Sequence, residues 1–351
     1  MMRWRTTLLL AAAAAAALTG PALAGEVKVA SDGTIAFPAT EVPSSALMSE
    51  EGNQSRVEHI LTERSLKGQP VDAFNAQLFG LRLERTKAAY DVSIRADRIA
   101  GVPVLIYEPR RGVARAQRGK VLINVHGGGF VGCFRECGGL ESIPIAALTG
   151  IRVISIDYRL APAARFPAAS EDVAAVYRDL LKRTPARRMG IFGCSAGGML
   201  TAQSLAWFQR HDLPTPAAAG VFCAGGDPGM GGDSRITGMV LGDGEAPPPP
   251  APSGAQPLGY MQGSDRADPA AFPASDAATL KRFPPTLVIV GTRDFALSSA
   301  VNLHSKLVAN GVDARLHVWE GGRHAFFYDE RVPEAREVYR VIASFFTQRL
   351  R

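Results

Sequence analysis

A serine hydroxyl becomes a useful nucleophile only when a base takes its proton, and one serine in this chain sits in a setting that suits that chemistry. Ser195 stands in Gly193-Cys194-Ser195-Ala196-Gly197-Gly198, a G-x-S-x-G pattern. Residues 188–192 before it read as a short buried strand, and residues 199–206 after it, free of Pro and Gly, read as a helix. A sharp strand-to-helix turn would push the hydroxyl clear of the backbone. It would also place the Ala196 amide at a helix N-terminus, where it can face developing negative charge. A bystander serine in a glycine-rich turn would show the same hexapeptide, so the partners decide.

The chain has six histidines, and four have a structural or exposed reading. His59 lies in an N-terminal segment, His211 in a polar loop, His304 mid-helix and His317 within a strand, while His126 heads a glycine run. His324, in Gly321-Gly322-Arg323-His324-Ala325-Phe326, follows the last predicted strand, where a loop imidazole can reach a site at the strand ends. The orienting acid should follow a strand between serine and histidine. Asp294, in Gly291-Thr292-Arg293-Asp294-Phe295, does so, and it can also cap the next helix; Glu320 and Asp329 are the rivals. Upstream, His126-Gly127-Gly128-Gly129-Phe130 follows the strand of residues 121–125. Its glycines let backbone amides approach a reacting carbonyl, so Gly127, Gly128, Gly129 and Ala196 are the expected oxyanion donors. The chemistry such a set could do is acyl transfer, which calls for no cofactor and no metal. No Lys-Ser/Thr follows the glycines as in a P-loop, no G-x-G-x-x-G fits, and nothing keeps ligand spacing with Cys133 and Cys137.

The elements that must hold these residues alternate. Residues 25–88 read as an N-terminal cap, with helices over 45–66 and 71–87 broken at Gly68-Gln69-Pro70. Residues 89–351 read as the catalytic domain. It opens with a hairpin of residues 90–99 and 102–108. Strands over 121–125, 151–156, 218–223, 286–290 and 315–319 then alternate with helices over 166–181, 296–310 and 333–350. That pattern predicts an α/β fold with a mostly parallel central sheet covered on both faces. Residues 224–285 carry a Gly-rich run and Pro247-Pro248-Pro249-Pro250, and read as a lid-like insertion.

Residues 1–24 carry a basic start (Arg3, Arg5), an apolar stretch from Leu8 to Leu18 and Ala22-Leu23-Ala24, so they read as a signal peptide and the protein as exported, with no stable membrane span after cleavage. The formal net charge of +6 is spread along 351 residues without a block, which argues against nucleic acid as a partner. Export permits disulfides among Cys133, Cys137, Cys194 and Cys223. Free thiols are the other reading, and Cys194 and Cys223 end strands that could be neighbours.

Taken together, His126 to Phe130, Asp157-Tyr158-Arg159-Leu160-Ala161-Pro162, Gly193 to Gly198, Asp294 and His324 resemble the hormone-sensitive-lipase family of α/β-hydrolase esterases, over residues 102–351. The resemblance implies an α/β-hydrolase fold and the triad Ser195, Asp294 and His324. It also implies an oxyanion hole from the glycines and the residue after the serine, and a structural role for His126. Tyr158 to Pro162 would support the site from behind, and Asp268-Pro269 resembles a motif beside the acyl pocket. Short-acyl esters and a possible homodimer are implied as well. The chain departs from the family at Cys194, where an Asp is usual, at Ala325 after the histidine, and in the Pro-rich insertion. A non-catalytic ligand receptor and a peptidase are the other functions this scaffold could carry.

Overall fold

The computed structural model describes residues 27–36, 40–227, 231–246 and 258–351, so the leader-like residues 1–24 and the four-proline run lie outside the described residues. The chain divides into two compact units, one up to Pro43 and one from Ser44 to Arg351. In the first, β1 (Lys28–Val29) and β2 (Ile35–Ala36) pair antiparallel.

The second unit begins with α1 (Glu50–Ser65) and α2 (Val71–Ala89). The first helix starts five residues later than the sequence pattern suggests. Ser49 is its N-cap: the hydroxyl accepts from the Gly52 amide at 3.0 Å and donates to Glu334 at 2.7 Å. The expected hairpin follows as β3 (Val92–Ile99) and β4 (Val102–Pro109). Then come β5 (Val121–Val125), α3 (Phe134–Thr149), β6 (Arg152–Ile156), α4 (Ala168–Leu181), β7 (Met189–Cys194), α5 (Ala196–Arg210) and β8 (Ala218–Phe222). The insertion contributes α6 (Ser234–Gly238), a π-helical turn over Met239–Asp243 and α7 (Ala277–Lys281). The chain closes with β9 (Thr286–Arg293), α8 (Leu297–Ala309), β10 (Ala314–Arg323) and α9 (Pro333–Arg349).

The eight-stranded sheet has the order β10-β9-β8-β7-β5-β6-β4-β3. The pairings from β10 through to β6 are parallel, and β4 and β3 join antiparallel at one edge. Side-chain alternation builds the layers. Along β5, Val121, Ile123 and Val125 face the cluster formed with α4, α5 and α8, while Leu122 faces the cluster formed with α3 and α9. The strands are therefore apolar on both sides and read as continuous hydrophobic runs.

Helix α3 was not anticipated from sequence, because Gly138, Gly139 and Pro144 lie inside it. The two glycines are there for close packing. A Cβ on Gly138 would lie 2.7 Å from Ser155 Oγ, and one on Gly139 2.5 Å from Leu83. Cys133, the N-cap of α3, is disulfide-bonded to Cys137 one turn on, with Cα atoms 5.2 Å apart. Cys194 and Cys223 are free and buried, at the ends of the paired strands β7 and β8. Thiol titration of denatured, unreduced protein should therefore count the two cysteines that are free here; a count of four would show the bridge absent. Among the described residues no helix is long and apolar enough to cross a membrane.

Candidate active site

Ser195 sits between β7 and α5 with φ 60° and ψ −125°, a conformation that costs a non-glycine residue about 1–3 kcal/mol and persists only under firm constraint. The constraint is close packing of backbone. A Cβ on Gly193 would lie 2.0 Å from the Val125 carbonyl oxygen, and one on Gly197 would lie 1.9 Å from the same atom. The Ser195 amide also donates to Phe222 O at 2.8 Å, which ties the turn to β8.

The acid and the base come from neighbouring parallel strands. Arg293 and Arg323 are register partners at the carboxyl ends of β9 and β10, so the next residues, Asp294 and His324, emerge side by side. His324 Nε2 lies 2.8 Å from Ser195 Oγ, and His324 Nδ1 lies 2.8 Å from Asp294 Oδ1. The three residues named from sequence are thus brought into one hydrogen-bonded line. Asp294 is fully buried, and its Oδ1 also accepts from the Ala296 amide at 2.8 Å, so orienting the imidazole and capping the α8 turn share one oxygen. Phe295 stacks on the imidazole at 4.2 Å. Burial disfavours the charged imidazole, but the Asp294 carboxylate outweighs it, and the His324 pKa is raised.

The rivals are occupied elsewhere. Glu320 accepts from Ser45, and Asp329 is held by Ser55, Arg82 and Arg331. His126 is buried, stacks on Tyr158 at 4.3 Å and contacts its neighbour's carbonyl at 2.7 Å. Burial lowers its pKa to about 4. Tyr158 donates to the His126 carbonyl at 2.6 Å, so the Tyr-Arg-Leu-Ala-Pro stretch braces the glycine loop from behind. Asp268 pairs with Arg210 and caps the turn at Ala270, apart from the cavity walls around Ser195. Among the described residues, the one grouping that could hold a metal is Cys223, Asp294 and His324, and two of its members already belong to the serine–histidine–aspartate line.

One expected oxyanion donor needs correction. The Gly127 amide donates to Glu141 Oε1 at 3.0 Å and cannot also point at a substrate. The amides of Gly128, Gly129 and Ala196 have no acceptor among the described residues, and they flank Ser195. Gly128 takes φ +107°, which an L side chain would oppose.

Glu141 itself was missed. Fully buried on α3, its carboxylate accepts from Gly127 N at 3.0 Å, Asn124 Nδ2 at 2.7 Å, Cys194 N at 3.2 Å and the Tyr328 hydroxyl. One side chain thus fastens the end of β5, the glycine loop, the serine turn and the segment after His324. Burial raises its pKa to about 7 against the pull of these four donors. The signal in the sequence was a single acid within the otherwise uncharged run of residues 138–150.

Two cavities meet at Ser195. One, of about 460 Å³, lies under α1 and α2 and also reaches His324. The other, of about 120 Å³, is walled by Ala196, Met199, Ala224 and Leu258. Helices α1 and α2 were read as a cap, but their residues His59, Phe74 and Phe79 as cavity lining were beyond the sequence, because they depend on how the helices dock.

Residues 122–328 match the family described as alpha/beta hydrolase fold. An acetyl-hydrolase of Streptomyces hygroscopicus is 29% identical over 231 residues, covering 65% of this chain and 76% of that protein. Among solved structures, an esterase from the bacterial hormone-sensitive lipase family superposes with a TM-score of 0.71 at 27% identity, covering 85% of this chain and 99% of its own. A hormone-sensitive lipase from a metagenome library gives 0.73 at 27% identity, covering 87% and 99%. With its parallel sheet, its serine turn and its strand-end acid and histidine, the chain belongs to the α/β-hydrolase family, in the branch of hormone-sensitive-lipase-like esterases.

Proposed function

We propose that the protein is an exported serine carboxylester hydrolase for small, short-acyl esters, with Ser195 as nucleophile, His324 as base and Asp294 as orienting acid. The observation that carries this reading is the unbroken line from Ser195 Oγ through His324 to Asp294 Oδ1, with 2.8 Å at each step. Ser195 Oγ attacks the ester carbonyl while His324 Nε2 takes its proton. Asp294 holds the imidazolium, and Gly128, Gly129 and Ala196 receive the charge that forms on the carbonyl oxygen. His324 then protonates the departing alcohol. Water, activated by the same nitrogen, attacks the acyl-enzyme and frees Ser195.

The names of the acetyl-hydrolase and the esterases above support ester hydrolysis. The Cys133–Cys137 bridge and the leader-like residues 1–24 support export. A homodimer is part of the same proposal and rests on the family resemblance.

The experiment is covalent labelling beside turnover. Purified protein should hydrolyse p-nitrophenyl acetate and lose that activity on reaction with one equivalent of a fluorophosphonate, with the adduct mapping to the peptide that contains Ser195. No turnover of any short p-nitrophenyl ester, or full activity after labelling, would end the reading.

A further inference from the structure

The two cavities at Ser195 differ in size, in chemistry and in their relation to the base. A departing alcohol must face the nitrogen that protonates it, so the leaving group lies on the His324 side and the acyl chain on the other. The cavity of about 460 Å³ includes His324, and that of about 120 Å³ does not. The smaller has about a quarter of the volume of the larger, so the shorter part of the ester belongs there. The larger suits an alcohol of several times that bulk.

The far end of the larger cavity is polar. Phe74, Phe79 and Phe295 form its apolar walls, while Glu63, Asp243 and Arg323 bring charge. Asp243 stands out. It is the last residue of the π-helical turn, half-buried at the cavity, and no hydrogen bond or ion pair to its carboxylate is formed among the described residues. Its position is nevertheless fixed. Gly242 beside it packs so closely that a Cβ would lie 2.0 Å from Arg293 O, Leu241 O accepts from Arg56 at 3.1 Å, and Gly244 O accepts from Arg64. Burial raises its pKa to about 7, and the charges that face it are His324, Arg323, Asp294 and Glu63. Two of these are cationic when charged and two anionic, so they largely offset one another and leave Asp243 to accept from a donor on the ligand. A held acceptor that lines a substrate cavity can take a hydrogen bond from a hydroxyl on the ligand.

We propose that the preferred substrates are short-acyl esters of a bulky alcohol bearing a further hydroxyl group, and that Asp243 reads that hydroxyl. This rests on the esterase reading. Its test is a comparison of kcat/KM, at one pH above the His324 titration, for ethyl acetate, cyclohexyl acetate, cyclohexyl hexanoate and the monoacetate of cyclohexanediol. The wild type should prefer the diol monoacetate over cyclohexyl acetate about tenfold, as expected for one hydrogen bond to a charged group. It should disfavour the hexanoate about tenfold against the acetate, since the acyl chain enters the smaller of the two cavities. In Asp243→Leu the diol preference should fall to about one, and Asp243→Asn should keep part of it. Using the ratio of two substrates within one variant cancels any change in His324 or in the amount of folded protein. A diol preference that survives Asp243→Leu would overturn the assignment of Asp243. Ready hydrolysis of the hexanoate with refusal of the cyclohexyl group would show the two cavities reversed. Failure of every ester, p-nitrophenyl acetate included, would instead strike the esterase reading itself.

Discussion

Ser195→Ala and His324→Ala should each lower kcat by about 10⁵–10⁶-fold, and the double variant should be no worse than either single one, because residues that act as a unit fail as a unit. The geometry is the reason. With 2.8 Å on both sides of the imidazole, removing the base leaves the hydroxyl with no proton acceptor, and removing the hydroxyl leaves the base with nothing to activate. Background catalysis from Gly128, Gly129 and Ala196 should persist in all three proteins, since those donors are backbone. Asp294→Asn should cost about 10⁴-fold, because an amide can stabilise the wrong imidazole tautomer. It should also move the acid limb of the pH–rate profile. His324 must be neutral to act, and Asp294 raises its pKa, so losing the carboxylate should let activity appear at lower pH. Losses that multiply in the double variant would show that Ser195 and His324 act separately. An unmoved limb in Asp294→Asn would show that the carboxylate does not govern the base.

Glu141→Gln should give the second largest effect, though the residue touches no substrate. The carboxylate receives four donors in a dry interior. An amide turns one of its two oxygens into a donor and leaves at least one of those groups facing another N–H. Each buried polar group left unsatisfied costs about 1–3 kcal/mol. A net loss of about 3 kcal/mol would lower Tm by about 4–6 °C in a domain of this size. Because Gly127 and the serine turn lose their common anchor, kcat should fall about 10–100-fold with little change in KM, the pattern of misplaced reacting groups. The pH dependence of stability separates this from a generic core defect. The folded pKa of about 7 lies above the ordinary 4.5, so the fold binds this proton more tightly than the unfolded chain does. Its contribution to stability is full below about pH 4.5 and declines as pH rises to about 7. That decline should vanish in Glu141→Gln. An identical Tm–pH slope in both proteins would rule out the buried carboxylate as its source.

The triad was legible because each of its members sits where chain direction alone puts it. Ser195 follows a strand within a glycine pair, and Asp294 and His324 each stand directly after one, so parallel neighbours had to bring them together. Gly127 shows where such reading stops. Its neighbours in the glycine run keep free amides, but which amide is free depends on Glu141, and Glu141 lies on a helix whose glycines and internal proline hide it from a periodicity argument. The cap illustrates the same limit. Its two helices were visible, yet the polar end of the cavity is completed by Asp243 from the insertion, some 180 residues away from His59 and Glu63 along the chain. Local pattern gives elements and strand ends, whereas the partners of a buried charge and the walls of a cavity are fixed by docking.

The carboxylate of Glu141 has a consequence for how this chain can change over time. Cys194 stands directly before Ser195, buried, and its amide donates to Glu141. The substitution Cys194→Asp would set a second carboxylate beside the first in the same buried setting. Two like charges so placed cannot both ionise, and one would have to hold a proton. Positions 141 and 194 therefore accommodate one buried carboxylate between them. Placing an acid at position 194 would weaken the protein unless Glu141 gave up its charge.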